Sequence, residues 1–355
     1  MRIAAVQGAL PDHYYDQDAL ISAFIQQWSE AHHNVDRLAR LHRAVAVGGR
    51  HLALPMEAYP DLTLGRANDA FIRVGTQLGA AAIRAALAQV DLEPSDIDVI
   101  FTTTVTGVAT PSLDARLVNA LGLRPDVKRV PMFGLGCVAG AAGTARLADY
   151  LKGHPNQVGV LLSVELCSLT MQRGDFSVAN LIASGLFGDG AAALIGIGDQ
   201  RAETMRLDGP YVVATESRFY PDTERVMGWD VGDSGFQIVL DASVPDVVKA
   251  NIRADVDQFL GRHGLSRVEI DTWIAHPGGP KVLTAFEESL GLPPDALKHT
   301  WASLEAVGNL SSSSVLFVLR DTLEALSTAP ASHGLMMAMG PGFCSEFVLL
   351  EWDRA

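Results

Sequence analysis

Cysteine is scarce in this chain of 355 residues, which has only Cys137, Cys167 and Cys344. An odd, widely spaced set cannot pair off completely and matches no metal-ligand spacing. Neither a disulfide framework nor a metal site is expected, and a reducing, cytoplasmic setting fits. Basic charge is short as well: 27 Lys and Arg face 41 Asp and Glu, for a formal net charge of −14. Nucleic-acid binding requires the opposite balance. No apolar run reaches the roughly 18 residues needed to span a bilayer, and MRIAAVQGALPDHYYDQ has too short an apolar run for a secretory signal. Low-complexity tracts, flexible linkers and strict repeats are absent too.

Apolar bulk and glycine are plentiful, with 48% hydrophobic residues and 33 glycines. At this length folding buries about three quarters of the accessible surface, and the size suits two domains or one large two-part domain. Helical spacing predicts helices near 17–32, 35–45, 70–89, 113–121, 139–151, 244–264, 281–290 and 309–326. Buried strands are predicted near 2–6, 97–103, 158–164, 212–215, 236–240, 270–275, 334–339 and 346–351. Alternating strands and helices, with continuous apolar strands, predict an α/β fold of mixed sheets covered by helices. A seam between halves is expected at 195–206, where Gly196, Gly198 and Asp199 punctuate the chain.

The stretch PMFGLGCVAGAAGTARLADYL, residues 131–151, places Cys137 between a tight Gly134-Leu135-Gly136 turn and a helix of small residues. Unpaired N–H groups and the helix dipole at such a start stabilise an anion, so the thiol is expected to lose its proton more readily. A lone Cys beside glycines is equally a small buried hydrophobe. His276 ends a predicted strand in WIAHPGGP, and Asn309 stands in GNL before four serines, where it could also be a helix N-cap. Together, Cys137, His276 and Asn309 form a nucleophile set on loops of an α/β scaffold. In a hydrolase, Cys would attack an amide or ester while His shuttled the proton. In a carbon–carbon bond-forming enzyme, Cys would accept an acyl group, and His and Asn would stabilise a decarboxylation enolate. A nucleophile beyond residue 130, within an α/β alternation, favours the second class.

Six stretches carry a resemblance: VKRV at 127–130, GLGCVAGAAG around Cys137, LFGDGAAA at 186–193, IAHPGGP at 274–280, GNLS at 308–311 and GPGFCSE at 340–346. In that order, over nearly the whole length, the chain resembles the type III polyketide synthases, the chalcone-synthase-like members of the thiolase superfamily. VTGVATPSLDAR and VELCSLT add a likeness to bacterial alkylpyrone and alkylresorcinol synthases. The resemblance implies a layered αβαβα thiolase-like fold of two similar halves, 1–200 and 201–355, each with a mixed five-stranded sheet. It implies Cys137 as acyl acceptor, His276 as the partner holding the thiolate, and His276 with Asn309 as the enolate-stabilising pair. Phe187 and Phe236 match gatekeepers between a coenzyme A tunnel and the cavity. Thr106, Thr110, Cys167, Thr170 and Ser311 match cavity positions, and Thr110 falls where the family reaches across a homodimer interface. Arg37, Arg40 and the adjacent Arg43 match the phosphate-holding basic patch.

Gly340-Pro341-Gly342 fits a rigid turn shaping the cavity wall, and Asp189, in a tight Gly-Asp-Gly turn, reads as structural. The implied activity is iterative decarboxylative condensation of a long-chain acyl-CoA with malonyl-CoA, closing to an alkylpyrone or alkylresorcinol, with no metal or redox cofactor. The alternatives are a tetrahydroxynaphthalene-type synthase primed by malonyl-CoA, a ketoacyl-ACP synthase III, and a Cys/His/Asn hydrolase.

Overall fold

The computed structural model describes residues 1–28, 35–326 and 332–352. The chain opens with β1 (Arg2–Ala9), β2 (His13–Asp16), α1 (Gln17–Trp28), α2 (Val35–Arg43) and β3 (Gly49–Leu52). Next come α3 (Leu64–Ala88), β4 (Val99–Thr104), α4 (Leu113–Leu121), β5 (Lys128–Phe133), α5 (Ala139–Gly153) and β6 (Val158–Leu166). They are followed by α6 (Val178–Leu186), β7 (Asp189–Ile197), α7 (Asp199–Met205), β8 (Tyr211–Phe219), β9 (Met227–Gly232) and β10 (Gly235–Leu240). Then α8 (Val244–Arg262), β11 (Thr272–Ala275), α9 (Pro280–Leu290), α10 (Lys298–Val307), α11 (Ser314–Leu326), β12 (His333–Gly340) and β13 (Cys344–Glu351) complete it. The predicted first helix ends at Trp28 here, and its residues 29–32 lie outside the described ones.

A nine-stranded sheet runs in the order β11-β12-β13-β8-β1-β7-β6-β4-β5. The first half supplies β1, β7, β6, β4 and β5, mixed as expected: β4 runs parallel to β5 and β6, while β7 is antiparallel to β1 and β6. The second half supplies four strands rather than five, because the 236–240 segment pairs locally with β9 as a hairpin. The halves join where Arg2 meets Tyr211. The expected seam at 195–206 begins inside β7, where Ile195 and Ile197 are fully buried. That strand escaped notice because AAALIGI carries little β-branched bulk; its alanines fit between helices on both faces.

Alternation along the strands makes layers. In β6, Val160 and Leu162 face the core built by α3 and α4, while Leu161 faces the opposite core. That middle core holds α5 and α11 between Val99, Phe101 and Leu194 of one half and Ile274, Met336 and Val348 of the other. A third core packs α8, α9 and α10 on the far face of β11, β12 and β13. Five layers, α-β-α-β-α, result, with the nucleophile helix in the central one.

The small residues of α5 are what allow this. Its buried surface is not the single predicted stripe but nearly its whole circumference, from Ala139 to Ala145 and on through Leu147, Ala148 and Leu151. A Cβ on Gly140 would overlap the Ser312 carbonyl oxygen and the Val315 side chain. Gly140→Ala should therefore cost about 1–3 kcal/mol, read as a lower urea midpoint at unchanged m. Gly153→Ala, with open space at its Cβ, is the control that should stay near wild type. Equal midpoints for the two variants would refute the close-packing account.

Candidate active site

Cys137 lies in a single 3-10 turn, Gly136–Val138, that leads directly into α5. Its surroundings come from three other segments. The turn after β12 wraps it: a Cβ on Gly136 would press on Pro341, and one on Gly340 would meet the Val138 nitrogen. Gly340-Pro341-Gly342 therefore packs against the turn that carries Cys137, and is not among the residues lining the cavity beside Phe187. Across the middle layer, the Cys137 sulfur lies 3.7 Å from Ser311 Oγ.

The four serines after Asn309 each have a separate partner. Ser311 meets Cys137, Ser312 Oγ donates to Glu165 Oε1, and Ser313 Oγ lies 2.8 Å from Ser163 Oγ. Ser314 Oγ accepts from Leu310 N at 2.6 Å. Asn309 is not the helix cap, since α11 begins at Ser314 after a 3-10 turn at Ser311–Ser313. Its Oδ1 accepts from Ser311 N at 2.8 Å, which leaves the amide nitrogen to donate toward the Cys137 sulfur. Ser311 itself holds a φ of 50°, a conformation uncommon for a side-chain-bearing residue and here fixed by the Asn309 bond. Asn309 also bridges in parallel to Phe187, with Asn309 N on Leu186 O at 2.9 Å and Gly188 N on Asn309 O at 3.0 Å.

His276 follows β11 in a loop before α9, its backbone N bonded to Met337 O at 2.9 Å. The imidazole is 3% exposed, and neither ring nitrogen has a hydrogen-bond partner. Burial drives its pKa down to about 3. The Cys137 thiol moves the other way: burial pushes it up to about 12, the Glu165 carboxylate adds to that, and the Ser311 and Asn309 donors only partly oppose it. The expectation of an acidified thiol at the helix start is thus overturned, because desolvation outweighs the N–H donors. Neither group carries a lone charge comfortably here.

A cavity of about 80 Å³ has Phe187, Cys167, Thr170, Arg50, Trp229 and Ile238 in its wall; Cys137, His276 and Asn309 do not line it, and Phe187 links it to Asn309 through their bridge. Phe187, Cys167 and Thr170 thus stand together as expected. Phe236 does not share that wall. It is 8% exposed on β10, its carbonyl accepting from Gln172 Nε2 at 3.1 Å and its ring centroid 6.2 Å from that of Trp229, which pairs with Ile238 across the hairpin and joins it in the wall. Thr106 is buried, donating to Glu165 Oε2 at 2.9 Å and accepting from Leu166 N. Thr110 is exposed on a different face, in a groove with Phe133. Arg37, Arg40 and Arg43 recur at three-residue spacing on the exposed face of α2, which packs on α6; Arg43 pairs with Asp18 at 3.2 Å.

The chain also matches known proteins over its full length. Residues 1–200 fit the model of the N-terminal domain of chalcone and stilbene synthases, and residues 211–352 that of their C-terminal domain. The chain belongs to the chalcone and stilbene synthase family. It is a type III polyketide synthase, an acyltransferase that forms carbon–carbon bonds. It is 52% identical to a 1,3,6,8-tetrahydroxynaphthalene synthase of Streptomyces peucetius subsp. caesius, covering 99% of this chain and 93% of the relative. A putative chalcone synthase of Bacillus subtilis (strain 168) is 34% identical, with 99% of each chain covered. Among solved structures, the 1,3,6,8-tetrahydroxynaphthalene synthase of Streptomyces coelicolor A3(2), a bacterial type III polyketide synthase, superposes with a TM-score of 0.93 at 28% identity over all of both chains.

Reading the sequence missed several residues around this synthase's centre. Glu165 is fully buried, with its carboxyl held by Ser312, Val105 N and Thr106; the signal was a carboxylate inside the nine-residue apolar strand β6. Arg50 carried no signal beyond its place at the end of the basic run that starts at Arg37, and Tyr59 had no local signal. Asp189 is structural as expected, accepting from Ala53 N and from the Ser168 N and Oγ.

His42 was also missed. It is fully buried under α6, Nε2 3.1 Å from Ser184 Oγ, and burial together with Arg50 lowers its pKa to about 4. A histidine depressed on folding stabilises the native state fully above its unfolded value of 6.5 and loses that contribution as pH falls toward 4. Relative to His42→Gln, the wild type should lose about 1.4 kcal/mol per pH unit below 6.5, measured by urea unfolding at pH 7, 6 and 5. Parallel stability profiles would show that His42 is charged in the folded protein.

Proposed function

We propose that this synthase primes itself with malonyl-CoA, extends four times with malonyl-CoA and closes the chain to 1,3,6,8-tetrahydroxynaphthalene. The observation that carries this is the 52% identity, over 99% of the chain, to the synthase named for that product. It is preferred to the long-chain alkylpyrone and alkylresorcinol reading. The cavity wall supports it: Tyr59, Ser168, Thr170, Asn180, Ser184 and Arg50 interrupt the apolar lining, a setting suited to a short starter that keeps its own carboxylate. The balance closes. Five malonyl units give ten ring carbons after loss of five carbon dioxides, with five CoA and one water released.

Cys137 Sγ passes its proton to His276 and attacks the malonyl thioester, expelling CoA. A second malonyl-CoA then loses carbon dioxide, and its enolate oxygen accepts hydrogen bonds from His276 and from the Asn309 amide. Two features support these roles: the imidazole has no other partner, and Asn309 is fixed by its own Oδ1 bond. The enolate carbon attacks the Cys137 thioester and the thiolate departs. Return of the chain to Cys137 resets the cycle. Arg37, Arg40 and Arg43 are assigned to the coenzyme A phosphates. No step requires a metal or a redox cofactor.

Malonyl-CoA alone should yield a ten-carbon tetrahydroxy aromatic by mass. Cys137→Ala should abolish it, and Asn309→Ala should slow decarboxylation about 10²–10³-fold while Cys137 is still acylated. Product only when a long acyl-CoA is added would restore the alkylpyrone reading; a single condensation would indicate the ketoacyl synthase, and gain of water without carbon dioxide a hydrolase.

The assembly is proposed to be a homodimer. β5 is an edge strand, and Phe133 and Val108 are 57% and 52% exposed in the groove that holds Thr110; an open edge of this kind invites a second copy. Light scattering should give twice the chain mass for the wild type and the monomer mass for Phe133→Glu; a monomeric wild type at tens of micromolar would refute it.

A further inference from the structure

A buried helix end must find partners for its last carbonyls, which have none within the helix. At α6 every one is accounted for. Ala183 O accepts from Phe187 N, and Ser184 O from Arg50 Nη1 at 2.7 Å. Gly185 O accepts from Gln17 Nε2 at 3.0 Å, and Leu186 O from Asn309 N at 2.9 Å. The next carbonyl, that of Phe187, again accepts from Arg50 Nη1 at 2.7 Å. The last turn of α6 is therefore tied to β3, to the start of α1 and to the loop that carries Asn309.

Arg50 is the unusual member of this set. It is 2% exposed, has no carboxylate within ion-pair distance among the described residues, and its Nε is buried without an acceptor. Burial lowers its pKa only to about 10, with Asp189 opposing the drop, so it is a cation at neutral pH. A cation is favoured at a helix C-terminus. Its stem also fills the space beside the catalytic loop: Arg50 Cγ and Cδ lie 3.1 Å from where a Cβ on Gly308 would be, and Gly308, at φ 73°, directly precedes Asn309. One side chain thus touches both strands of the Phe187–Asn309 bridge.

We propose that Arg50 is a positioning residue for the condensation chemistry: by capping α6 through the Ser184 and Phe187 carbonyls while packing against Gly308, it fixes Phe187 and Asn309 relative to each other. This rests on the roles given above to those two residues. Arginine suits the task because its guanidinium reaches two carbonyls with a planar donor set, which a lysine ammonium on a shorter stem does not reproduce. Gln17 serves as the internal comparison, since it caps a carbonyl of the same helix but touches neither Phe187 nor Gly308.

The test uses the full chain with Arg50→Lys, Arg50→Met and Gln17→Leu, measuring thermal midpoint, iodoacetamide labelling of Cys137, malonyl-CoA decarboxylation and product length. The Arg50 variants should decarboxylate 10- to 100-fold more slowly per folded molecule, through kcat rather than KM. They should also release shortened products, with Cys137 labelling within threefold of wild type. Gln17→Leu should lower the midpoint without changing decarboxylation or product length. If Arg50→Met fails to fold, Arg50→Lys decides. Wild-type decarboxylation and product length in the folded Arg50 variants would overturn the proposal, as would equal chemical defects in Gln17→Leu. Asn309→Ala decarboxylating like wild type would instead fault the Asn309 assignment, and the Arg50 role would then stand or fall on product length alone.

Discussion

The approach of α5 to the turn that starts α11 is the contact on which the rest depends. Gly140 lets the Ser312 backbone come close enough that any side chain there would collide. Cys137, just before α5, is therefore set against Ser311 and Asn309, residues more than 170 positions away in the chain. The two halves of the protein meet through this central layer. One half supplies Cys137, and the other supplies Ser311, Asn309 and His276, from which the proposed chemistry draws its partners. Their relative placement is a packing quantity, set by methyl-sized residues rather than by flexible contacts.

That packing has an electrostatic consequence. The centre is dry enough to push the Cys137 thiol and the His276 imidazole toward neutrality from opposite sides. It also raises the pKa of Glu165, whose carboxyl is nevertheless held by four donors. A dry site strengthens every interaction within it, so a thiolate–imidazolium pair and an enolate facing fixed donors gain more there than in water. The serine run shows how the cost of burying polar groups is met. Ser311, Ser312 and Ser313 reach partners in other segments, and Ser314 accepts locally from Leu310 N. The His276 imidazole, with both nitrogens buried and unpartnered, contrasts with this run.

Much of this was legible in the sequence, and the misses follow a pattern. Long periodic segments such as α3, α8 and the nucleophile helix were readable because their apolar spacing is helical and their neighbours are turn residues. The neighbourhood of Cys137 and Asn309, and the bridge from Asn309 to Phe187, fall on segments that motif order had singled out. By contrast, β7 was hidden because a strand packed between helices on both faces needs small residues, and alanine does not announce a strand. The start of α11 was misassigned because Asn309 is a favoured cap residue, whereas a 3-10 turn at Ser311–Ser313 intervenes and the helix begins at Ser314. Phe236 was matched to a gatekeeper by resemblance; it lies on the same face of β10 as Ile238, with its ring against Trp229, but of this hairpin the cavity wall reaches only Ile238 and Trp229. The acidity expected of Cys137 failed for a different reason: helix-start donors are local and visible in sequence, but desolvation is a property of the assembled layers.

Arg50 belongs to this last kind. Nothing in GGRHLAL marks it, because its significance lies in where the α6 carbonyls end and in the missing side chain of Gly308. A gatekeeper and a catalytic amide on adjacent backbone segments could drift apart if the helix end behind them were satisfied by water. A buried cation bonded to two carbonyls, with its stem against the neighbouring turn, removes that freedom without adding a group that competes for the thioester. Chain length in an iterative synthase depends on how often the growing chain is returned to Cys137 before it cyclises or escapes. Under the roles proposed for Phe187 and Asn309, rigidity at their bridge acts on both sides of that choice.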